Sequence, residues 1–165
     1  MAGKRKNLSA SGSQPLPSGK GMKMALVVSQ WNAEITEALY EGATKTLLKS
    51  GCREKDIQRF TVPGSYELPS AAALLAAGKQ KVDAVICLGC VIQGETRHFE
   101  FICQAVAQGL MDVSLKYTLP VIFGVLTTDT YSQAKERAGG KHGNKGVEAA
   151  ITALQMTDLF RRQKK

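Results

Sequence analysis

The segment Gly94-Glu95-Thr96-Arg97-His98 has the residue types best suited to chemistry on a phosphorylated substrate. A glycine lets the backbone approach a ligand closely, and the amides that open a following helix favour an anion such as phosphate. Thr96 adds a hydroxyl donor, and His98 can transfer protons near neutral pH. These features predict an active-site segment for a small phosphorylated substrate. The alternative is that Thr96 only caps the helix and His98 is an ordinary surface residue.

A second cationic segment runs from Arg137 to Gly146 and contains several glycines and bases ahead of a predicted helix. It resembles a phosphate loop, but the order of residues that defines a nucleoside triphosphatase loop is absent. The Arg137 guanidinium could donate two parallel hydrogen bonds to a phosphate. Taken alone, the segment favours the alternative, in which the glycines form a tight turn and the bases are solvated.

Two further residues follow predicted strands. Trp31 is the only tryptophan, and it could stack on a flat heterocycle or cover the edge of the core. Glu67 follows a Pro-Gly turn, where it could accept hydrogen bonds from a polyhydroxylated chain or cap the next helix. Neither choice is settled by the local sequence.

Alternating strand and helix patterns must position these residues. Apolar runs predict strands at 24–29, 57–62, 84–91 and 121–126, and helical spacing predicts helices at 35–49, 68–77, 99–116, 131–137 and 146–160. This order predicts a three-layer α/β fold of flavodoxin-like type, in which a mostly parallel four-stranded sheet has helices on both faces. Ligands bind beyond the carboxyl ends of such strands, so we expect the site at loops 29–32, 63–67, 93–98 and 127–129.

The formal net charge of +8 is concentrated at the two ends of the chain. Residues 1–23 and 161–165 together contain nine bases and no acids, which leaves 13 bases against 14 acids in between. A near-neutral body argues against specific nucleic-acid binding. We expect residues 1–23 to form a mobile basic arm, 24–160 the domain and 161–165 a basic tail. Since no long apolar run or secretory signal is evident, we expect a cytoplasmic protein without membrane association.

The pair Cys87 and Cys90 has the spacing of a metal or redox motif. It lies inside a predicted strand, however, where residues three apart point to opposite faces of the sheet. We therefore predict reduced thiols and no metal site.

Taken together, several segments resemble the lumazine synthase family over about residues 24–160. The resemblance rests on Trp31-Asn32, Val62-Pro-Gly-Ser-Tyr-Glu-Leu68, Gly89-x-x-Ile-x-Gly-Glu-Thr-x-His-Phe-Glu100, Phe123-Gly-Val-Leu-Thr127 and Glu136-Arg-Ala-Gly-x-Lys-x-Gly-Asn-Lys-Gly146. Agreement of separate segments in the same order is more specific than any one of them.

This resemblance implies a transferase of riboflavin biosynthesis that needs no cofactor or metal. It would condense 5-amino-6-(D-ribitylamino)uracil with 3,4-dihydroxy-2-butanone 4-phosphate to 6,7-dimethyl-8-ribityllumazine, releasing phosphate and water. By position, His98 would transfer protons and Trp31 would stack on the pyrimidine. The ribityl chain would be held by Asn32, Ser65 and Glu67, the heterocycle pocket lined by Tyr66, Val91 and Ile92, the phosphate bound by Glu95, Thr96 and Arg137, and the site completed from the adjacent subunit by Phe123 and Lys145.

The resemblance also implies an oligomer. A site shared between subunits requires one, and the family forms pentameric rings, twelve of which build a 60-subunit shell in some members. Riboflavin synthase is a candidate partner. The chain departs from the family at Gln93, where a base is common, and at Arg97, where a small residue or proline is common. Two other classes stay open at this point: a flavin- or nucleotide-binding module of flavodoxin type, and a structural shell or nucleic-acid-binding protein that uses the basic tails.

Overall fold

The computed structural model describes residues 15–163. Four parallel strands form the main sheet in the order β2-β1-β3-β4. They are β1 (Met24–Ser29), β2 (Ile57–Val62), β3 (Ala84–Ile92) and β4 (Val121–Thr128). Apolar runs form these strands because both faces of a parallel sheet are covered. The predicted sheet is confirmed.

Within residues 15–163, five α-helices accompany these strands, as predicted. They are α1 (Ala33–Lys49), α2 (Leu68–Ala77), α3 (His98–Tyr117), α4 (Tyr131–Glu136) and α5 (Lys145–Gln163). Three small elements were not predicted. Short 3-10 helices lie at Glu54–Asp56 and Ser65–Glu67, and β5 (Ala138–Gly140) and β6 (Gly143–Asn144) pair antiparallel as a hairpin between α4 and α5. The predicted glycine-rich connection is therefore a short ordered hairpin.

Two apolar layers lie on opposite faces of the main sheet. On one face, Leu26 and Ile86 belong to a cluster with Leu39 of α1 and Leu154 of α5. On the other face the cluster combines alternate strand residues with α2 and α3, and its members include Val27, Val85, Leu68 and Leu110. Burial of alternate strand residues on two sides produces the three-layer α/β arrangement expected from the sequence.

The cysteine pair follows the same alternation. Cys87 packs in the α2/α3 layer and Cys90 in the α1/α5 layer, so their opposite orientation is confirmed. All four cysteines are free thiols. Within residues 15–163, no group of three or more His, Cys, Asp or Glu side chains is placed to hold a metal ion.

Residues near both ends of the described chain pack against the domain. Met22 is only 2% exposed, and the backbone N–H of Gly19 donates to the carbonyl of Ser50 at 2.7 Å. Arg161 donates to the Gly21 carbonyl at 2.8 Å. Gly19, Gly21 and Met22, which we expected in the arm, thus contact the fold, and α5 continues into the expected tail.

The rest of the expected arm, residues 1–14, and the last two residues of the tail lie outside the described residues. Their assignment stays a prediction. No helix between residues 15 and 163 has the length and apolar character needed to span a bilayer.

Candidate active site

A cleft of about 740 Å³ opens at the carboxyl ends of β1, β2 and β3. Since β1 lies between β2 and β3, the chain leaves β1 in one direction for β2 and returns in the other for β3. Such a switch in strand order creates a crevice suited to a ligand. The cleft is lined by Trp31, Asn32, Pro63, Gly64, Ser65, Tyr66, Glu67, Cys90, Val91, Ile92, Gly94, Thr96, His98, Phe99 and Ile102.

The loop after β1 is fixed to both neighbouring strands. The backbone N–H of Trp31 donates to the carbonyl of Pro63 at 3.1 Å, and the Asn32 side-chain amide donates to the carbonyl of Cys90 at 3.0 Å. Asn32 has left-handed backbone angles (φ 61°, ψ 48°), which asparagine tolerates better than most residues. The Trp31 side chain is 74% exposed, so it does not cover the core and its ring is free to stack on a ligand.

The loop after β2 forms a short 3-10 turn at Ser65–Glu67. Glu67 accepts a hydrogen bond from the Gly64 N–H at 2.9 Å, so it serves as a local cap while lining the cleft. Ser65 is 6% exposed, and its hydroxyl has no hydrogen-bond partner. A buried hydroxyl without a partner is costly, so the turn at Ser65 is held in place at some expense of stability.

Gly89 of β3 makes room for Ser65. A Cβ atom at position 89 would lie 2.5 Å from the Ser65 hydroxyl oxygen and 3.0 Å from Leu68 Cδ1. Any larger residue would push the turn away from the strand. The glycine at the start of the third motif therefore positions a residue of the second motif.

The loop after β3 leads directly into α3, which begins at His98, one residue before the predicted start. The Thr96 hydroxyl accepts a hydrogen bond from the His98 N–H at 3.4 Å, a long contact that leaves it accessible to a ligand. The helix has no side-chain cap at Arg97, and in its first turn the Glu100 N–H donates to the Arg97 carbonyl at 3.1 Å. Helix start and histidine lie together in the cleft, as expected for an anion site.

The two residues of this loop that depart from the family pattern, Gln93 and Arg97, contact their neighbours in the chain. Arg97 pairs with Glu100 at 3.1 Å and lies over the Phe101 ring at 5.9 Å. The Gln93 side chain donates to the Gly94 carbonyl at 2.9 Å. Neither residue lines the cleft.

Nine of the residues assigned from the sequence line this cleft, and four do not. Phe123 and Lys145 line a separate, largely apolar groove of about 640 Å³ beside β4, one of the two edge strands of the sheet. In this edge groove Lys145 pairs with Glu148 at 2.7 Å. Arg137 is exposed at the end of α4, and Glu95 is exposed near the cleft without lining it. One chain alone therefore does not assemble the full set.

The cationic segment from Arg137 to Gly146 has a definite structural role. Asn144 donates from its side-chain amide to the Ala38 carbonyl of α1 at 3.0 Å, and its side-chain oxygen accepts from the Gly146 N–H at 2.8 Å. The Lys145 N–H donates to the Arg137 carbonyl at 2.9 Å. The turn expected as the alternative is therefore present as a hairpin, and it holds Arg137 and Lys145 at a defined place on the fold.

Three cleft residues were not predicted. Cys90 precedes Ile92 by two positions on β3, and Ile102 follows His98 by four on α3, so the strand and helix periods could have identified both. Phe99 directly follows His98. Burial raises the pKa of the Cys90 thiol to about 11, so this side chain is a neutral, apolar wall of the cleft.

Comparison with known proteins agrees with this geometry. The family model for 6,7-dimethyl-8-ribityllumazine synthase matches residues 21–161. A protein of that name from Cytophaga hutchinsonii is 60% identical over 156 residues, covering 94% of this chain and 97% of the relative. Another, from Porphyromonas gingivalis, is 50% identical over 161 residues, covering 98% and 99%. A third, from Parabacteroides distasonis, is 48% identical over 159 residues, covering 96% and 99%.

These matches span the cleft, the hairpin and the edge groove alike. They favour the lumazine synthase family over the two classes that the sequence left open, a flavodoxin-type binding module and a structural or nucleic-acid-binding protein. A flavodoxin-type module would share only the general sheet. The chain belongs to the 6,7-dimethyl-8-ribityllumazine synthase family.

Proposed function

We propose that this chain condenses 5-amino-6-(D-ribitylamino)uracil with 3,4-dihydroxy-2-butanone 4-phosphate in the cleft, forming 6,7-dimethyl-8-ribityllumazine, phosphate and water. The observation that carries the proposal is the convergence of three separate motifs: Trp31, the Ser65–Glu67 turn and His98 all line one cleft. Each motif alone had a structural alternative. Their meeting at the switch point of the sheet supports a shared role in one site.

The pyrimidine side of the cleft is formed by Trp31 and the turn after β2. The exposed indole stacks on the flat ring, and Tyr66, Val91 and Ile92 complete the heterocycle pocket. The ribityl hydroxyls bind Asn32, Ser65 and Glu67. All three residues line the cleft next to this pocket, which supports the assignment.

The phosphate binds where α3 begins. Helix amides and the Thr96 hydroxyl donate to it. Glu95 lies in the same loop and is assigned to the phosphate site by its position in the family motif. His98 moves protons during imine formation, phosphate loss and ring closure. Positioning two reactants beside one acid-base group suffices for these steps, which require proton transfers between nitrogen, oxygen and carbon. Arg137 and the amides at the start of α3 stabilise the negative charge that grows on the phosphate as it leaves.

The edge groove completes the cleft of a neighbouring subunit. Phe123 and Lys145 lie in that groove, and Arg137 is bonded to the backbone of Lys145, so we assign all three to the neighbour-facing set. Exposed apolar side chains flank the groove: Leu115 is 72% exposed and Met111 56%. Such a surface is suited to burial between subunits.

We further propose that the subunits form a pentameric ring, with riboflavin synthase, which consumes the product, as a partner. Light scattering after size-exclusion chromatography distinguishes a ring, a pair of rings and a 60-subunit shell by mass. Retention of riboflavin synthase on a column of the assembled protein tests the partner.

The reaction is tested by incubating the protein with both substrates and following lumazine absorbance. His98→Ala should slow turnover while leaving substrate binding intact, and an unchanged turnover number would remove His98 from the mechanism. Absence of lumazine formation by the unaltered protein would refute the function.

The shared site is tested by co-assembling two impaired variants, His98→Ala and Lys145→Ala. If the two residues belong to opposite sides of an interface, about one quarter of interfaces in a random mixture contain two intact halves. Activity of the mixture should then exceed that of either variant alone. If both residues served one subunit's own cleft, mixing would restore nothing.

A further inference from the structure

Glu34, which no motif singled out, connects α1 to α4. It lies in the first turn of α1, and its two carboxylate oxygens have different partners. One accepts a hydrogen bond from the Tyr131 hydroxyl, and the other pairs with the Lys135 ammonium at 2.8 Å. These hydrogen bonds, first from Lys135 and then from Tyr131, lower the pKa of Glu34, so the carboxylate is ionised at neutral pH.

The two partners lie on one face of α4, because residues four apart in a helix are neighbours. This helix has only six residues, and such a short helix is not stable by itself in water. Ala134 is its buried residue, with 0% exposure. The position of α4 therefore depends on contacts with the rest of the fold, and Glu34 supplies two of them.

Arg137 follows α4 directly. Within residues 15–163, no hydrogen bond or ion pair holds its guanidinium, so the direction of this side chain depends on the backbone that carries it. That backbone is anchored on one side by the Lys145 N–H and on the other by α4. Binding a phosphate through a planar fork requires correct placement, and a shift of about 1 Å is enough to impair a binding or catalytic group.

We propose that Glu34 is a positioning residue for phosphate recognition: by holding Tyr131 and Lys135 it fixes α4 and thereby the Arg137 guanidinium. The inference rests on the proposed role of Arg137 in binding the butanone phosphate. It adds a residue outside the cleft whose effect on the reaction passes through another side chain.

The first test compares Glu34→Ala with the control Glu41→Ala. Glu41 lies on the same helix, is similarly exposed and also pairs with a lysine, Lys45, at 3.5 Å, but it does not contact α4. Glu34→Ala should raise the KM for the butanone phosphate about fivefold, given two exposed contacts of modest strength. We expect the turnover number and the KM for the pyrimidine to be unchanged. Glu41→Ala should alter none of these values.

A milder variant guards against a general loss of structure. Tyr131→Phe removes one hydrogen bond and keeps the ring, so it should raise the same KM about twofold. An unchanged KM in both Glu34→Ala and Tyr131→Phe would overturn the proposal.

The decisive test is a cycle with Arg137→Ala. If Glu34 acts only through Arg137, the double variant should have the KM of Arg137→Ala alone. A further fivefold rise in the double variant would overturn the proposal. So would a raised KM for the pyrimidine substrate in Glu34→Ala, since that change would place the effect in the loop that carries Trp31.

These outcomes separate the inference from the function on which it rests. A normal Arg137→Ala defect with no response to Glu34→Ala refutes the positioning role alone. An unaltered protein that forms no lumazine refutes the proposed function itself.

Discussion

Asn144 holds the end of the hairpin, the start of α5 and the middle of α1 together, and its replacement by alanine tests this arrangement. The side-chain oxygen accepts from the N–H groups of Gly146 and Val147 at 2.8 and 3.2 Å, which caps α5. The side-chain amide donates to the Ala38 carbonyl at 3.0 Å. Loss of a helix cap costs about 1 kcal/mol and loss of a partly buried hydrogen bond about 1 kcal/mol more. Asn144→Ala should therefore lower the free energy of unfolding by about 2 kcal/mol.

Gly42 on α1 provides the matching half of the test. In an unhindered helix interior, replacing glycine by alanine stabilises the helix by about 1 kcal/mol. A Cβ at position 42 would lie 2.6 Å from the Asn144 side-chain oxygen and 2.7 Å from its Cγ. Asn144 cannot move away without breaking its hydrogen bonds. Overpacking costs about 1 to 3 kcal/mol, so Gly42→Ala should destabilise the otherwise unaltered protein.

The sign of the Gly42→Ala effect should reverse in the Asn144→Ala background. With the obstructing side chain gone, the new methyl group should stabilise α1 by about 1 kcal/mol. The two changes are thus expected to couple by about 1 to 3 kcal/mol, the overpacking cost that is present only with Asn144. Asn144→Asp serves as a control, because it keeps the cap acceptor and the size of the side chain but replaces the amide donor with a carboxylate oxygen that repels the Ala38 carbonyl.

Urea unfolding followed by circular dichroism measures these differences. All variants are compared at one protein concentration, because assembly adds to the apparent stability. If unfolding is irreversible, unfolding temperatures at one heating rate replace the free energies. A stabilising Gly42→Ala in the presence of Asn144, or an equal penalty in both backgrounds, would refute the argument.

Two further predictions concern the site. Arg137→Ala should raise the KM for the butanone phosphate at least tenfold, since a charge-assisted contact is lost, and an unchanged KM in steady-state kinetics would contradict its phosphate role. The Cys90 thiol should react slowly with a thiol reagent at pH 8, because burial raises its pKa to about 11 and leaves little thiolate. Labelling of Cys90, followed by mass spectrometry, should accelerate about tenfold per pH unit up to the pKa; fast labelling independent of pH would contradict this environment.

Much of the fold could be predicted because its signals are local. The apolar run of β3 and the spacing of Ile35, Leu39, Ala43 and Leu47 on α1 depend only on residues near each other in the chain. The β5–β6 hairpin was missed because it carries too little local signal. Strands of three and two residues are too short to show a two-residue period, and Gly139 and Gly143 have positive φ values of 119° and 82°, which typify turns.

The cleft-lining residues of the candidate site were largely predictable from their motifs, whereas the contribution of Phe123 and Lys145 from an adjacent subunit was expected only from the family resemblance. Motif types and order were enough to name Trp31, Ser65 and His98, and the strand-end rule placed their loops at one edge of the sheet. Strand order explains why Phe123 and Lys145 lie apart from these residues. Because β4 is at the edge and β1 is next to β3, Phe123 and Lys145 lie in a separate groove from the cleft.

The sequence by itself therefore determined the α/β pattern, the family and the chemistry-bearing motifs. Only the tertiary structure decided three contacts. Gly89 makes room for the Ser65 hydroxyl, which has no partner, and Asn144 holds α1 against α5. Glu34 binds two side chains of α4. The physical reason is separation along the chain. These contacts join residues from about 20 to more than 100 positions apart, whose meeting depends on how the layers pack and leaves no periodic trace in either local segment.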